Sequence, residues 1–274
     1  MKMRSAWLLC ALSALAHAQS PVYTVEFIGA STGLVDLNDY GYMIGTAPLA
    51  PANERGWVAS RAQPITPLPL PPGRVSSRVF DINNAGVIVG SVSSTTYADP
   101  SFGGIAAVWT PTGTGSYTVQ ELSKLPGDIG SVAKALNEVG DVVGFSQGAF
   151  QRAVWFTAPN GLLDLTPTGA FNPVAVNDQR QVVCYWTRCA RLDLNTLVLQ
   201  DLGLPLGSFN STLGGSINEA GQVAGVAITS STTCDRVAAR YTDGVGWQVL
   251  SPCGPYNGPG NINDRGDVTF WSVA

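Results

Sequence analysis

The side chains able to do chemistry in this chain are carboxylates, thiols and aromatic rings. Histidine is not among them. The only His of the 274 residues is His17, and it stands inside a leader. Lys2 and Arg4 form the basic start of that leader, Ala6 to Leu15 is its apolar run, and Ala16-His17-Ala18 is a small-x-small cleavage site. Residues 1–18 therefore read as a secretory signal, and residues 19–274 as one domain without His. That excludes a Ser-His-Asp or Cys-His nucleophile, a His general base and any His-ligated zinc or iron. Leu8-Leu9-Cys10 invites a lipoprotein reading, but Leu directly before the Cys and the short apolar run behind it speak against one.

Glu54, Asp99, Asp128, Asp235 and Asp243 lie in predicted loops. Two of them converging at one mouth of a closed fold would serve as acid and base on a glycan, as in a glycoside hydrolase or polysaccharide lyase. A solvated loop charge is the commoner role. An enzyme of this kind should show two carboxylates in a deep pocket, at least one with a perturbed pKa. A binding module should gather aromatics on one face, and a structural domain should offer a flat apolar patch. The aromatic candidates for binding are Trp186 and Trp271, which fall off the repeat described below, with Tyr97 and Phe102. Seven Trp and eight Tyr make sugar-stacking platforms conceivable.

Cys184, Cys189, Cys234 and Cys253 follow the leader and allow three pairings. Cys184 and Cys189 flank a short connection, and Cys234 and Cys253 flank a predicted hairpin turning at Thr242 to Gly246. The expected disulfides are Cys184–Cys189 and Cys234–Cys253, contributing roughly 2 and roughly 3 kcal/mol. An exported protein is where such bonds persist. A metal reading is weak, because the spacing is wrong and His is lacking.

The elements that must position these residues come from a repeat. Leu37-Asn38-Asp39-Tyr40-Gly41, Ile82-Asn83-Asn84-Ala85-Gly86, Leu136-Asn137-Glu138-Val139-Gly140, Val176-Asn177-Asp178-Gln179-Arg180, Ile217-Asn218-Glu219-Ala220-Gly221 and Ile262-Asn263-Asp264-Arg265-Gly266 are its six copies. Asn can bond its side chain to the backbone two residues on, and Gly tolerates the positive φ that a bulged type I turn needs. Each copy thus reads as strand, tight turn, strand. Six calcium loops are the alternative, because the turns are rich in oxygen. Such a loop wants carboxylates at alternate positions over about a dozen residues, and these are shorter.

The Asn positions are 45, 54, 40, 41 and 45 residues apart, a period that fits propeller blades. Two further strands fit between turns. The third carries an aromatic (Trp57, Trp109, Trp155, Tyr241), with Ala190-Arg191-Leu192 in the fourth copy. Trp109 and Trp155, at a fixed strand position, are expected between blades. The fourth strand includes Val119 to Leu122, Leu162 to Leu165, Leu199 to Leu202 and Trp247 to Leu250. The fold class is accordingly all-β, a propeller of six blades. Tyr23 to Gly29 aligns with a fourth strand, and the last copy holds only two strands, so the N-terminal strand would complete the last blade. The 54-residue unit carries an insertion, Ser91 to Gly104, either a binding loop or a tolerated lengthening. In the fourth copy Arg180 replaces the turn Gly and Cys184 replaces the second Gly of the motif (Gly45, Gly90, Gly144, Gly225). Arg at positive φ costs about 1–2 kcal/mol, which a local disulfide would offset.

The pattern Ile-Asn-x-x-Gly-x-Val-x-Gly, then Ala-x-x-Trp, then Leu-x-x-Leu-x-Gly, resembles the HAF repeat family of bacterial extracellular repeat proteins. Ala135 to Gly144, Ala153-Val154-Trp155 and Leu162 to Gly169 carry the likeness best. The resemblance implies export and a repeated all-β fold, and it brings no catalytic residues.

Arg265-Gly266-Asp267 spells an integrin-binding tripeptide, but its place in the repeat explains it. Asn210-Ser211-Thr212 is a sequon, inert behind a bacterial-type signal. The net charge is −4, and −6 once Lys2 and Arg4 leave with the signal, which argues against nucleic acid. No later stretch approaches the length of a membrane span. The expected product is a secreted or periplasmic monomer. It is read as a non-catalytic binding or scaffold module for a glycan or an envelope protein, needing no cofactor or metal. A carboxylate-type enzyme and a structural domain of a surface assembly are the alternatives.

Overall fold

A computed structural model describes residues 33–48, 53–99, 103–113, 115–185, 188–205, 209–229, 236–251 and 258–271. They form antiparallel sheets in chain order. Sheet 1 is β1 (Leu34–Leu37), β2 (Met43–Pro48), β3 (Glu54–Ser60) and β4 (Gln63–Pro67). Sheet 2 is β5 (Ser76–Ile82), β6 (Ile88–Ser93), β7 (Ile105–Gly113) and β8 (Ser116–Glu121). Sheet 3 is β9 (Gly130–Leu136), β10 (Val142–Gln147), β11 (Gln151–Trp155) and β12 (Leu163–Asp164). Sheet 4 is β13 (Pro173–Val176), β14 (Gln181–Tyr185), β15 (Cys189–Asp193) and β16 (Val198–Asp201). Sheet 5 is β17 (Phe209–Ile217), β18 (Val223–Thr229), β19 (Arg236–Thr242) and β20 (Gly246–Val249). Sheet 6 pairs β21 (Gly258–Ile262) with β22 (Val268–Trp271). The segment Tyr23 to Gly29, expected to complete sheet 6, lies outside the described residues.

The repeat motif is the turn between the first two strands of every sheet. Asn Oδ1 accepts the backbone N–H four residues on, from Tyr42, Val87, Asp141, Gln181, Gln222 and Asp267 at 2.7–3.0 Å. The bond two residues on, which sequence reasoning expected, is added at Tyr40 and Arg265. The turn glycines hold φ between +76° and +91°, and Arg180 holds +64° in their place. No disulfide offsets Arg180. Its Nε reaches Asp141 Oδ2 of sheet 3 at 3.0 Å, and its guanidinium lies 5.7 Å from the Trp155 ring.

The motif's second Gly marks a bulge. A Cβ at Gly90 or Gly144 would stand 2.0 Å from the carbonyl oxygen of Arg78 or Val132, and one at Gly225 2.4 Å from that of Leu213. Beside Gly45 it would meet the Trp57 ring and the Gly33 carbonyl. The fourth copy tolerates Cys184 there because its first strand starts late. Asn172, the counterpart of Val132, takes φ +42°, and β13 begins only at Pro173.

Apolar clusters fill the spaces between successive sheets. Val58, Val79, Ile88 and Trp109 join sheets 1 and 2; Val89, Ala133 and Val154 join sheets 2 and 3; Val143, Trp155, Val182 and Leu192 join sheets 3 and 4. Val183, Cys189 and Val223 join sheets 4 and 5. Trp109 and Trp155 are buried as expected, Trp57 is buried as well, and the Trp109 indole N–H donates to Pro69 O at 2.8 Å. In sheet 5 Trp247 does the equivalent work: it meets Tyr241 edge to face at 5.6 Å and donates to Leu202 O at 2.9 Å.

The expected Cys184–Cys189 disulfide is overturned. Cys184 pairs with Ala190, and Tyr185 with Cys189, so the two thiols sit one residue out of register. A one-residue offset places side chains on opposite faces of a sheet. Cys184 accordingly packs toward sheet 3 and Cys189 toward sheet 5, both as free thiols. Burial pushes the Cys184 thiol up to about 12 and raises Cys189 as well. A thiol this hard to ionise is inert. Ellman's reagent should leave both unmodified in the native protein and label both on unfolding. Non-reducing peptide mapping that joined Cys184 to Cys189 would contradict the register. Cys234 and Cys253 lie outside the described residues.

Candidate functional site

The six turns do more than reverse the chain. Each Asn donates its side-chain N–H to the backbone carbonyl of the next copy's Asn: Asn38 to Asn83, Asn83 to Asn137, Asn137 to Asn177, Asn177 to Asn218 and Asn218 to Asn263, at 2.9–3.2 Å. The five donors are buried. Asn263 bonds its own Asp267 carboxylate instead, at 3.1 Å. A second rung lies beside the first. The backbone N–H of Asp39 donates to Asn84, that of Asn84 to Glu138, of Glu138 to Asp178, of Asp178 to Glu219 and of Glu219 to Asp264, at 2.8–3.1 Å. This explains the oxygen-rich position after Asn without calcium. Those oxygens accept backbone N–H groups. Among the described residues no group of three or more His, Cys, Asp or Glu is disposed to hold a metal ion.

The first strands of all six sheets line one channel. One part, a cavity of about 430 Å³, is lined by residues of β1, β5, β9, β13, β17 and β21. The other part, about 810 Å³, continues it through Val35, Asp36, Ile217, Asn261 and Ile262. It ends at Asp39, Asn84, Glu138, Asp178, Glu219 and Asp264. The second turn residue of every copy therefore meets the others at one mouth. Five of the six are carboxylates. Burial, and then Asp178, Asp264 and Glu138, push Glu219 above its ordinary value.

Deeper in stand Asp36 and Asp81, two residues before Asn38 and Asn83. Their carboxyls are hydrogen-bonded to each other. Burial raises Asp81 well above the usual carboxylate range, and Asp36 raises it further. Asp81 also accepts the N–H of Ile82 and of Leu136, each at 2.9 Å. Lys134 lies on the next inner strand, its Nζ 3.7 Å from the centre of the Phe80 ring. Burial, then Arg78, bring this amine down to about 8.

These three residues escaped sequence reasoning, and of the five carboxylates it named the four among the described residues are not brought together. Glu54 pairs with Arg78 at 2.6 Å, Asp128 with Arg152 at 2.8 Å and Asp243 with Arg191 at 2.8 Å. The Asp99 carbonyl accepts the Gly104 N–H, closing the inserted loop on itself. Asp235 lies outside the described residues. Of the aromatic candidates, Tyr97 is exposed beyond β6. Trp271 belongs to β22, its side chain outside the description, as are Trp186 and Phe102 altogether. Arg265 and Asp267 of the tripeptide pair with each other at 3.1 Å. No helix among the described residues is long and apolar enough to cross a membrane.

The architecture has counterparts among solved structures. TolB from Acinetobacter baumannii superposes with a TM-score of 0.55 at 14% identity, over 83% of this chain. The match spans 57% of TolB, so this chain covers little more than half of that protein. Virginiamycin B lyase from Staphylococcus aureus gives 0.55 at 14%, over 91% of this chain and 80% of its own. Both are propeller proteins, and the likeness shows the fold alone. No family model and no curated protein matches the chain.

Proposed function

We propose that this chain is an exported six-bladed β-propeller of the HAF repeat type that binds a partner rather than transforming a substrate. Its partner is a cationic segment of another envelope protein, held at the carboxylate-ringed mouth of the channel. One observation carries this reading: five carboxylates, from five of the six repeats, converge on that mouth. Charges of one sign around a low-dielectric opening focus the field and raise the local concentration of the opposite sign. The enzyme alternative is not favoured. Glycosidic acid–base pairs stand roughly 5–9.5 Å apart to admit sugar or water, whereas Asp36 and Asp81 bond each other directly.

The ring can be neutralised without cutting the rungs. Asn84 already fills the position, accepting the Asp39 N–H at 2.9 Å with an amide oxygen. Asp39→Asn, Glu138→Gln, Asp178→Asn and Glu219→Gln together should leave the fold intact. Hexalysine should bind the wild type, lose about tenfold between low and 0.5 M salt, and bind the fourfold variant at least tenfold more weakly. Equal binding to both proteins would overturn the reading. An envelope protein retained by the wild type and released from the variant would name the partner.

A further inference from the structure

The channel holds a second set of groups, of the opposite chemical demand. Lys134 is half-buried on β9 and has no hydrogen bond or ion pair among the described residues. Its ammonium rests on the face of Phe80, and the charge that acts on it is Arg78, of like sign. A half-buried ammonium without an anion is an incomplete ion pair, since desolvation is not repaid by a partner. The acids of the channel do not complete it. Asp81 is engaged by Asp36 and by two backbone N–H groups. The carboxylate ring lies at the turns, where Glu138 stands four residues after Lys134 and beyond the end of β9, or about 13 Å at the rise of a strand.

The same cavity offers hydroxyl partners. Asp36 and Asp81 stand side by side in it, and with burial holding the Asp81 carboxyl well above the usual carboxylate range the pair offers hydrogen-bond partners to hydroxyl groups. Across the channel, the exposed Asn261 stands on β21. Phe80 and Val174 supply apolar wall. At about 430 Å³ the cavity is in the range of small-ligand sites, and a sugar ring fits within it.

We propose that this inner cavity binds a hydroxylated organic monoanion, a sugar acid, with its carboxylate on Lys134 and its hydroxyls on the Asp36–Asp81 pair. A dianion such as phosphate is disfavoured, because one ammonium faces it and a carboxylate pair stands behind. The carboxylate ring repels an anion at the turn mouth, so the ligand approaches from the end where β5 carries Arg78. The site is distinct from the mouth that takes the cationic partner. Its lysine is not foreshadowed by the repeat: the equivalent positions are Val35, Phe80, Val174, Gly215 and Gly260.

The test titrates the mature protein with galacturonate, tri-galacturonate and neutral galactose by calorimetry. Galacturonate should bind saturably and galactose at least tenfold more weakly. Lys134→Met should weaken galacturonate at least tenfold, while Lys134→Arg retains it, so a misfolded Met variant cannot mimic the result. In ¹³C NMR the Lys134 side chain should titrate near 8 when empty. It should titrate at least one unit higher when saturated, the counterpart of a tenfold preference of the ligand for the ammonium form. Tighter binding of the trimer would place the sugar acid within a polysaccharide, and weaker binding would make it a free monomer. Equal binding of galactose, undiminished binding by Lys134→Met, or an unmoved titration overturns the inference. The fourfold ring variant should bind galacturonate at least as well as the wild type. Hexalysine capture without galacturonate binding would sink this site and leave the proposed mouth standing.

Discussion

Replacing Asn137 by Ala should lower the unfolding free energy by about 3 kcal/mol, which is a large share of a domain's stability. The side chain is 4% exposed and makes three bonds. Its Oδ1 accepts the Asp141 N–H at 2.7 Å, and its amide donates to Asn177 O at 2.9 Å and to Asp141 Oδ2 at 3.0 Å. Truncation strands a buried N–H and removes a donor from a buried carboxylate. It also unfastens sheet 3 from sheet 4. The drop in Tm should be about 6–12 °C for a domain of this size. Asn263→Ala is the control. Its residue is exposed, and among the described residues its amide bonds only within its own turn, so it should cost less than about 1 kcal/mol. Equal losses from the two substitutions in thermal and urea unfolding would mean that the turn, rather than the bond to the next copy, carries the effect.

Gly144→Ala should cost a similar amount, about 3 kcal/mol, for a steric reason. The added methyl lands 2.0 Å from the Val132 carbonyl oxygen and 3.0 Å from the Ala133 Cα. Both obstacles are backbone of the paired strand, so no rotamer change relieves the overlap, and the bulge itself must move. Overpacking of a tight site ordinarily costs about 1–3 kcal/mol, and this one lies at the upper end. Gly113→Ala, whose methyl meets nothing within 4 Å, should fall within about 0.5 kcal/mol of the wild type. Chemical denaturation compares them directly. A Gly144→Ala protein as stable as Gly113→Ala would show that β9 and β10 can shift there to admit the methyl.

What the sequence made legible was local. Asn followed by Gly at a fixed offset specified the turn, and the positive φ at Gly41, Gly86 and Gly140 follows from it. The β-branched runs after the turns became second strands, and the recurring Trp became core between sheets. The failures concern partners that the chain brings from afar. The residue that receives each Asn amide lies 40–54 positions on, and no local pattern points to it. The carboxylate after Asn is another such case, because its acceptor role is toward another copy's backbone. Cys184 and Cys189 were misjudged because proximity along a hairpin says nothing of facing, which one residue of register decides. Asp36 and Asp81 did leave a trace. The residue two before Asn reads Asp, Asp, Ala, Ala, Ser, Asn through the six copies. A column in which two neighbouring copies carry acids among small or neutral residues is a departure worth following. Lys134, alone in its column, is another.

The bonds between turns run in one direction, each copy donating its Asn amide to its successor and accepting from its predecessor. Nothing in that exchange depends on how many copies there are. A gene that gained or lost one whole unit in tandem would encode a chain in which every Asn but the last still finds the carbonyl of its successor. Copy number is thus nearly neutral for the polar lattice and is left to be decided by how wide the inner strands can stand apart. Relatives with more or fewer units are therefore reachable by single duplications or deletions, without compensating point changes in the motif.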